Sequence, residues 1–316
     1  MPVARWLASQ PGLLLANSAP LHTRVPYIST GYRKQAESLG EALVSALGLV
    51  WLQSGGRKGG RWRWVLHNEM GNVWSHLLPA MLTPMLGLWH VCYWLPSLRA
   101  PPPRDDYLVS IAFFIGLWLC FACSAWYHTV RILPPRDAAV ALGVDRAGIL
   151  SVLGASLGLL AHYLLTDLGS GRFALVVAWL AAAVLVLGGL HLLGLVSLPV
   201  AASCRASSRT GCAWCDGTAV FVGLFLLALM GVASGCALAP DIGGLIWSHV
   251  SAMYAWYAFG VFFYVLRLPE RMFAATVLDY IGHSHQIMHV SIVLGARHFY
   301  HLVVALQLRA SDSASG

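Results

Sequence analysis

Seven long apolar segments constrain the fold of this chain more than any other feature. Each is long enough for the roughly 20 residues that a helix needs to cross a bilayer. Of the 316 residues, 58% are hydrophobic and only 10% are charged, whereas soluble domains are about a quarter charged. The sequence therefore predicts an all-α membrane protein, a bundle of seven transmembrane helices. The predicted spans are 71–95, 107–130, 138–163, 173–198, 216–238, 245–266 and 284–308.

The distribution of Lys and Arg among the loops predicts the orientation of the bundle. With a cytosolic N-terminus, the tail before the first span holds eight of these residues and the cytosolic loops add six, whereas the opposite side holds four. Cytosolic loops of membrane proteins carry such an excess. We therefore expect the N-terminus in the cytosol and the C-terminus on the opposite side. Basic cytosolic loops also account for the net charge of +7, so no nucleic-acid partner is predicted.

Outside the spans, the sequence predicts three further regions. Residues 1–36 contain no acidic residue and several Pro, Ser and Ala, which is typical of a flexible tail. Leucines at positions 39, 43 and 47 follow helical spacing, which predicts an amphipathic helix on the membrane surface. The expected organisation is a flexible basic tail at 1–35, an interfacial helix and linker at 36–70, the transmembrane domain at 71–308, and a short C-terminal tail at 309–316.

The seven cysteines are irregularly spaced and indicate no disulfide framework. Cys204, Cys212 and Cys215 lie together between two predicted spans. Metal binding, palmitoylation and free thiols are all compatible with this spacing. Free thiols are preferred because a cytosolic loop lies in a reducing compartment.

Four polar residues lie at or inside the ends of apolar runs, where ionisable side chains are costly and usually functional: His128, Asp145, His285 and His289. The last two are four residues apart, which puts them on one face of a helix. In the predicted orientation all four share one depth near the cytosolic face. Three neutral imidazoles, with a carboxylate able to hold a metal-bound water, are suited to zinc. Ser124, one turn before His128, could hydrogen-bond near the site or to its own helix.

The remaining histidines have no assigned role. A single histidine in an apolar span is more often a satisfied core residue than a metal ligand. Two of them near the outer end of the last span are interpreted as interfacial anchors. The histidines along the predicted spans without an assigned role are His90, His162, His191, His249, His298 and His301.

Five sequence blocks resemble the progestin and adipoQ receptor family, which is related to the hemolysin III-like proteins. They occur in the same order as in that family and cover most of the chain. The resemblance of the whole series is therefore more specific than that of any one block. The blocks are Ile28-Ser-Thr-Gly-Tyr-Arg33, His67-Asn-Glu-Met-Gly-Asn-Val-Trp-Ser-His76, Ser124-Ala-Trp-Tyr-His128 followed by Asp145, Leu268-Pro-Glu-Arg271, and Asp279-Tyr-Ile-Gly-His-Ser-His-Gln-Ile-Met-His289.

The resemblance implies a seven-helix receptor with a cytosolic N-terminus and a zinc ion near the cytosolic face. It implies that His128, His285 and His289 hold the zinc and that Asp145 contacts the zinc-bound water. The adiponectin-receptor branch is associated with ceramide hydrolysis, and the alkaline ceramidases have a similar set of residues. A ceramide-like substrate drawn from the membrane lipids is therefore expected.

Two hypotheses about function follow. In the first, the protein is a zinc-dependent ceramide hydrolase, with Asp145 and Ser124 as catalytic residues. In the second, it is a non-catalytic receptor for an extracellular hormone or steroid, and the zinc is structural. A transporter is disfavoured because the hydropathy pattern has no inverted repeat. The expected location is the plasma membrane or the Golgi and endoplasmic reticulum, and the sequence leaves the oligomeric state open.

Overall fold

The computed structural model describes residues 12–53, 60–168, 218–238, 240–273 and 276–315. Within these residues the chain is almost entirely helical, which confirms the predicted all-α class. Short 3-10 turns occur at Leu21–Thr23 and Leu95–Ser97, and a π-helical turn occurs at His90–Trp94. The α-helices are α1 (Leu39–Ala46), α2 (Met70–Trp89), α3 (Arg104–Val130), α4 (Pro135–Leu168), α5 (Thr218–Leu238), α6 (Pro240–Leu266) and α7 (Ser284–Ser315).

Five of these helices, α3 to α7, are long and apolar enough to cross a membrane. The first predicted span corresponds to α2, which has 20 residues and contains Pro79 and Pro84. The fourth predicted span, 173–198, lies outside the described residues, and so do Cys204, Cys212 and Cys215. The number of seven spans and the orientation of the bundle therefore stay predictions.

The segment before α1, which belongs to the predicted flexible tail at 1–35, makes buried contacts in the structure. Tyr32 is buried in a small cluster with Ala19 and Ile28. Its hydroxyl donates to the carbonyl oxygen of Ile28 at 3.0 Å and lies 2.9 Å from the amide nitrogen of Val25. The buried Tyr32 side chain thus bonds to the backbone at Val25 and Ile28, and the flexibility of the tail stays a prediction. Residues 1–11 lie outside the described part of the chain.

The predicted interfacial region contains a short helix, α1, which is followed by a hairpin. Ser38 caps α1 by accepting a hydrogen bond from the amide of Glu41 at 3.2 Å. Gly48, with a φ of +84°, then turns the chain. The next segment forms strand β1 (Leu49–Gln53), which pairs antiparallel with β2 (Gly60–Trp64) where a linker was predicted. The leucine stripe of α1 is exposed, and its location on a membrane surface stays a prediction.

The chain divides into two compact units. The first unit comprises Met1–Leu77, Cys123–Asp145 and Phe259–Val290, and the second comprises Leu78–Ala122, Arg146–Ala258 and Ser291–Gly316. The large hydrophobic core belongs to the second unit. There, a Cβ at Gly116 would lie 2.8 Å from the carbonyl oxygen of Ser151, so glycine allows α3 and α4 to approach closely.

Candidate metal centre

Three histidines of the first unit turn their ring nitrogens toward one another. His128 lies in the last turn of α3, and His285 and His289 lie on one face of the first turns of α7. The Nε2 atom of His285 is 3.2 Å from Nε2 of His128 and 3.2 Å from Nε2 of His289. The ligand atoms of all three lie within 4.8 Å of one another. We call these residues the histidine cluster.

The histidine cluster fits a metal ion of the size and preference of zinc. Zinc–nitrogen bonds of 2.0–2.1 Å in a tetrahedron place ligand nitrogens about 3.3 to 3.4 Å apart, close to the two 3.2 Å separations in the cluster. His128 and His289 are buried and His285 is partly buried. Among the described residues, no carboxylate or thiol joins the three histidines as a fourth ligand. The donor set therefore resembles that of a three-coordinate protein site with one open position.

His289 is held from two sides. Its Nδ1 lies 3.0 Å from the hydroxyl oxygen of Ser75. The ring of His76 stacks on it with a centroid distance of 3.8 Å and an interplanar angle of 11°. His76 lies on α2, so this helix supports a ring that projects from α7. Such support orients Nε2 of His289 toward the rest of the cluster.

His128 is held by a buried carboxylate. Its Nδ1 lies 2.7 Å from Oε2 of Glu69, which is only 4% exposed. Asn72 donates to the same oxygen at 2.8 Å, and Arg131 donates to Oε1. Burial alone would raise the pKa of Glu69, but the charge of Arg131 and the hydrogen bonds from His128 and Asn72 hold it well below its ordinary value. Glu69 is therefore an ionised acceptor.

The N-terminal segment also reaches the end of α3. Arg33, which is 3% exposed, donates to the backbone carbonyl of His128 at 2.7 Å and to the hydroxyl of Ser45 at 3.2 Å. Arg131 donates to the backbone carbonyl of Thr23 at 3.2 Å. These contacts connect the segment before α1 to the helix turn that carries His128.

The start of α7 is anchored by a second buried carboxylate. Glu270 accepts a hydrogen bond from the backbone amide of Ser284 at 2.8 Å and another from its hydroxyl. Because the first helical amides lack partners within the helix, this carboxylate caps α7. It thereby fixes the helix end that carries His285 and His289.

The structure brings together the three histidines that the sequence assigned to zinc. Ser124 is buried one turn before His128. Asp145 lies in α4, is partly buried and acts electrostatically on Cys123, the residue before Ser124. It is not one of the grouped ligand atoms. The catalytic roles of Ser124 and Asp145 stay predictions.

Sequence reasoning missed Glu69 and His76, although both lie in a quoted block. The available signal was their spacing. Residues seven apart share one helix face, and here an acid just before a span precedes a histidine inside it by seven residues. The hydrogen bonds of Arg33 and Arg131 to distant backbone carbonyls carried no comparable signal.

The fold and the cluster together define a helical membrane protein with a buried histidine site. The haemolysin-III related family model matches residues 64–301, which include the whole histidine cluster and Glu69. The chain belongs to this family, and it is similar to the adiponectin-receptor and progestin and adipoQ receptor proteins within it.

Three curated relatives illustrate the similarity. Heptahelical transmembrane protein ADIPOR2 of Oryza sativa subsp. japonica is 32% identical over 215 residues, which are 65% of this chain and 85% of the relative. Progestin and adipoQ receptor family member 3 of Homo sapiens is 25% identical over 274 residues, 85% of this chain and 77% of the relative. The adiponectin receptor protein of Drosophila melanogaster is 25% identical over 261 residues, 75% of this chain but half of the relative.

Proposed function

We propose that this protein is a zinc-dependent hydrolase of ceramide-like lipid amides. One observation supports this most directly: the cluster offers three histidines and, among the described residues, no fourth protein ligand. Structural zinc sites are usually closed by four protein ligands, whereas catalytic sites use three and keep one position for water or substrate. The arrangement of the cluster therefore supports a catalytic role for the metal over a structural one.

The residues around the cluster suggest how the amide would be cleaved. Zinc, when bound, would polarise the amide carbonyl and lower the pKa of a water molecule toward ~7. Asp145 would accept a proton from the attacking water while the water oxygen bonds to the acyl carbon. The same carboxyl group would then deliver that proton to the amide nitrogen as the carbon–nitrogen bond breaks. The products are a fatty acid and a long-chain amine.

Ser124 and the helical bundle have supporting roles in this proposal. The Ser124 hydroxyl, buried one turn before His128, would orient the Asp145 carboxylate by hydrogen bonding. The apolar helices would hold the two hydrocarbon chains of a lipid taken directly from the membrane. In the predicted orientation, the amide would enter at headgroup depth on the cytosolic side.

Metal content and turnover measured on the same purified protein would test the proposal. We expect about one zinc ion per chain, as for a single three-histidine site. We also expect fatty-acid release from ceramides of several acyl lengths, lost on chelation and restored by zinc. A preparation with full zinc that hydrolyses no ceramide in the panel would contradict the hydrolase proposal.

The second candidate is a receptor in which the metal is structural. The names of the relatives favour it, since two are called an adiponectin receptor and a progestin and adipoQ receptor. In this case zinc would join α3 to α7, and an extracellular hormone or steroid would alter their packing. Zinc removal would then lower the thermal stability of the protein and abolish ligand binding, with no amide hydrolysis at any zinc content.

A further inference from the structure

We propose that Glu69 is a positioning residue that makes Nε2 of His128 the metal-binding nitrogen. The inference rests on the proposed metal site and adds a residue to which that proposal gives no role. Its starting point is the 2.7 Å contact between Nδ1 of His128 and Oε2 of Glu69. Glu69 touches the side of the imidazole away from the cluster, so it acts through His128 rather than on a substrate.

The chemistry of the contact determines the tautomer of His128. A neutral imidazole carries one N–H group and one lone pair. Asn72 and Arg131 both donate to the Glu69 carboxylate, so its oxygens act as acceptors throughout. The proton of the contact therefore lies on Nδ1 of His128. The lone pair is left on Nε2, the nitrogen that faces His285 at 3.2 Å.

Burial and helical geometry keep this arrangement in place. His128 is 1% exposed and Glu69 is 4% exposed, so bulk water does not replace the carboxylate as acceptor. His128 and Arg131 are three residues apart at the end of α3 and face the same direction. Glu69 accepts hydrogen bonds from both and also from Asn72 in the first turn of α2. Rotation of the His128 ring would therefore break its buried hydrogen bond to Glu69.

The tautomer of His289, whose Nδ1 atom also has a contact in the structure, is not fixed in this way. His289 meets the hydroxyl of Ser75 at 3.0 Å. A hydroxyl can either donate or accept, so it is compatible with both tautomers. The structure therefore assigns the fixing of a ligand tautomer to Glu69. Loss of such a partner typically costs 10–100-fold in metal affinity.

The test compares zinc affinity in three variants of the full-length protein, by competition with a chromophoric chelator. Glu69→Met keeps the length of the side chain but has no oxygen to accept a hydrogen bond, and Glu69→Gln restores a neutral acceptor. We expect about 10–100-fold weaker zinc binding by the Met variant and a smaller loss for the Gln variant. The matched control is Asp106→Asn, which alters another carboxylate–histidine pair with a buried carboxylate, 2.6 Å apart in the second unit. Its zinc affinity should equal that of the wild type.

A second readout separates positioning from a general loss of stability. The absorption spectrum of bound Co²⁺ depends on its ligand set, so the Glu69→Met variant should show an altered spectrum in its folded fraction. Wild-type affinity and an unchanged spectrum in the folded Glu69 variants, or an equal loss in Asp106→Asn, would overturn the positioning role while leaving the metal site intact. A wild-type protein that binds no zinc would overturn both proposals together.

Discussion

Two carboxylate–histidine pairs in which the carboxylate is buried occur in the described part of the chain, one in each unit. Glu69 contacts His128 at 2.7 Å in the first unit, and Asp106 contacts His162 at 2.6 Å in the second. The first contact uses Nδ1 of the imidazole and leaves Nε2 facing two other imidazoles. The second uses Nε2. A carboxylate beside a histidine is thus not enough to indicate a metal site, because among the described residues only His128 also lies within reach of further ligand atoms.

The surroundings of the Asp106 pair consist of polar groups that satisfy one another. Ser110 donates to the backbone carbonyl of Asp106 at 2.7 Å and accepts from Gln307 at 3.0 Å. The Trp94 indole donates to Gln307 at 3.3 Å. Buried polar groups in a membrane protein must find such partners. We therefore interpret the pair in the second unit as a structural connection between α3 and α4.

Removing two histidines from the first unit tests most directly whether its carboxylate–histidine pair belongs to a metal site. The His285→Ala/His289→Ala variant should lose essentially all of its zinc, because one histidine cannot hold the metal alone. The matched control is His298→Ala/His301→Ala, a double substitution on the same helix but outside the cluster. Elemental analysis should find wild-type zinc in the control. Full zinc in the first variant would show that the cluster is not the metal site.

A carboxylate substitution would sharpen what the cluster does. Asp145→Asn keeps the size of the side chain but removes the proton acceptor. We expect nearly wild-type zinc and a loss of ceramide hydrolysis of ~10²–10⁴-fold, as for a general base. Zinc content and turnover should be measured on one preparation. Joint loss of zinc and stability would indicate a direct ligand, and full activity would exclude a catalytic role.

The sequence predicted the histidine cluster better than it predicted the residues that hold these histidines in place. An imidazole pair four residues apart on a helix, with a third at the end of an apolar run, indicates a ligand set from residue type and spacing alone. The contacts of Glu69 with His128 and of Arg33 with a backbone carbonyl join residues far apart in the chain. Spacing along one helix contains no information about such contacts.

The same holds for the fold. Features that depend on neighbouring residues in the sequence were predicted, whereas features that depend on tertiary contacts were not. Long apolar runs predicted the helices of six spans in the described residues, with ends that differ by up to seven residues, because a bilayer-spanning helix requires many apolar residues in sequence. The composition of the N-terminal segment resembles that of flexible chains and predicts a tail. It gives no indication that Tyr32 is buried, because that burial is set by tertiary contacts. The β1–β2 hairpin was missed for a similar reason, since the basic, glycine-rich residues between its strands indicated only a linker.

A substitution in the second unit tests the structural side of the comparison. Asp106→Asn replaces the buried carboxylate that contacts His162 by a neutral amide, and losing a hydrogen bond of this kind typically costs up to about 3 kcal/mol. We expect a lower free energy of unfolding, measured in mixed micelles, together with unchanged zinc content. Unchanged stability would show that the pair contributes little to the second unit. Loss of zinc would show that the two pairs are coupled.

The smallest predicted effect is the pH dependence of stability that arises from His67, a buried histidine that contacts a backbone carbonyl. His67 lies before α2, with Nε2 3.1 Å from the carbonyl oxygen of Ala46. Burial and the nearby charge of Arg33 lower its pKa from 6.5 to about 3. As the pH falls below the unfolded-state pKa, the unfolded chain gains a proton that the folded protein does not bind. Stability is therefore lost on acidification, by about 2 kcal/mol between about pH 7 and about pH 5.

The His67→Gln variant isolates this contribution, because its amide N–H group can still donate to the carbonyl of Ala46. The other histidines titrate in both proteins, so the difference between the two pH profiles reports on position 67. We expect the variant to lose about 2 kcal/mol less stability over that range, as measured by unfolding in mixed micelles. Parallel profiles would mean that His67 becomes protonated in the folded protein. Burial and the charge of Arg33 would then be insufficient to keep the His67 imidazole neutral in the folded protein.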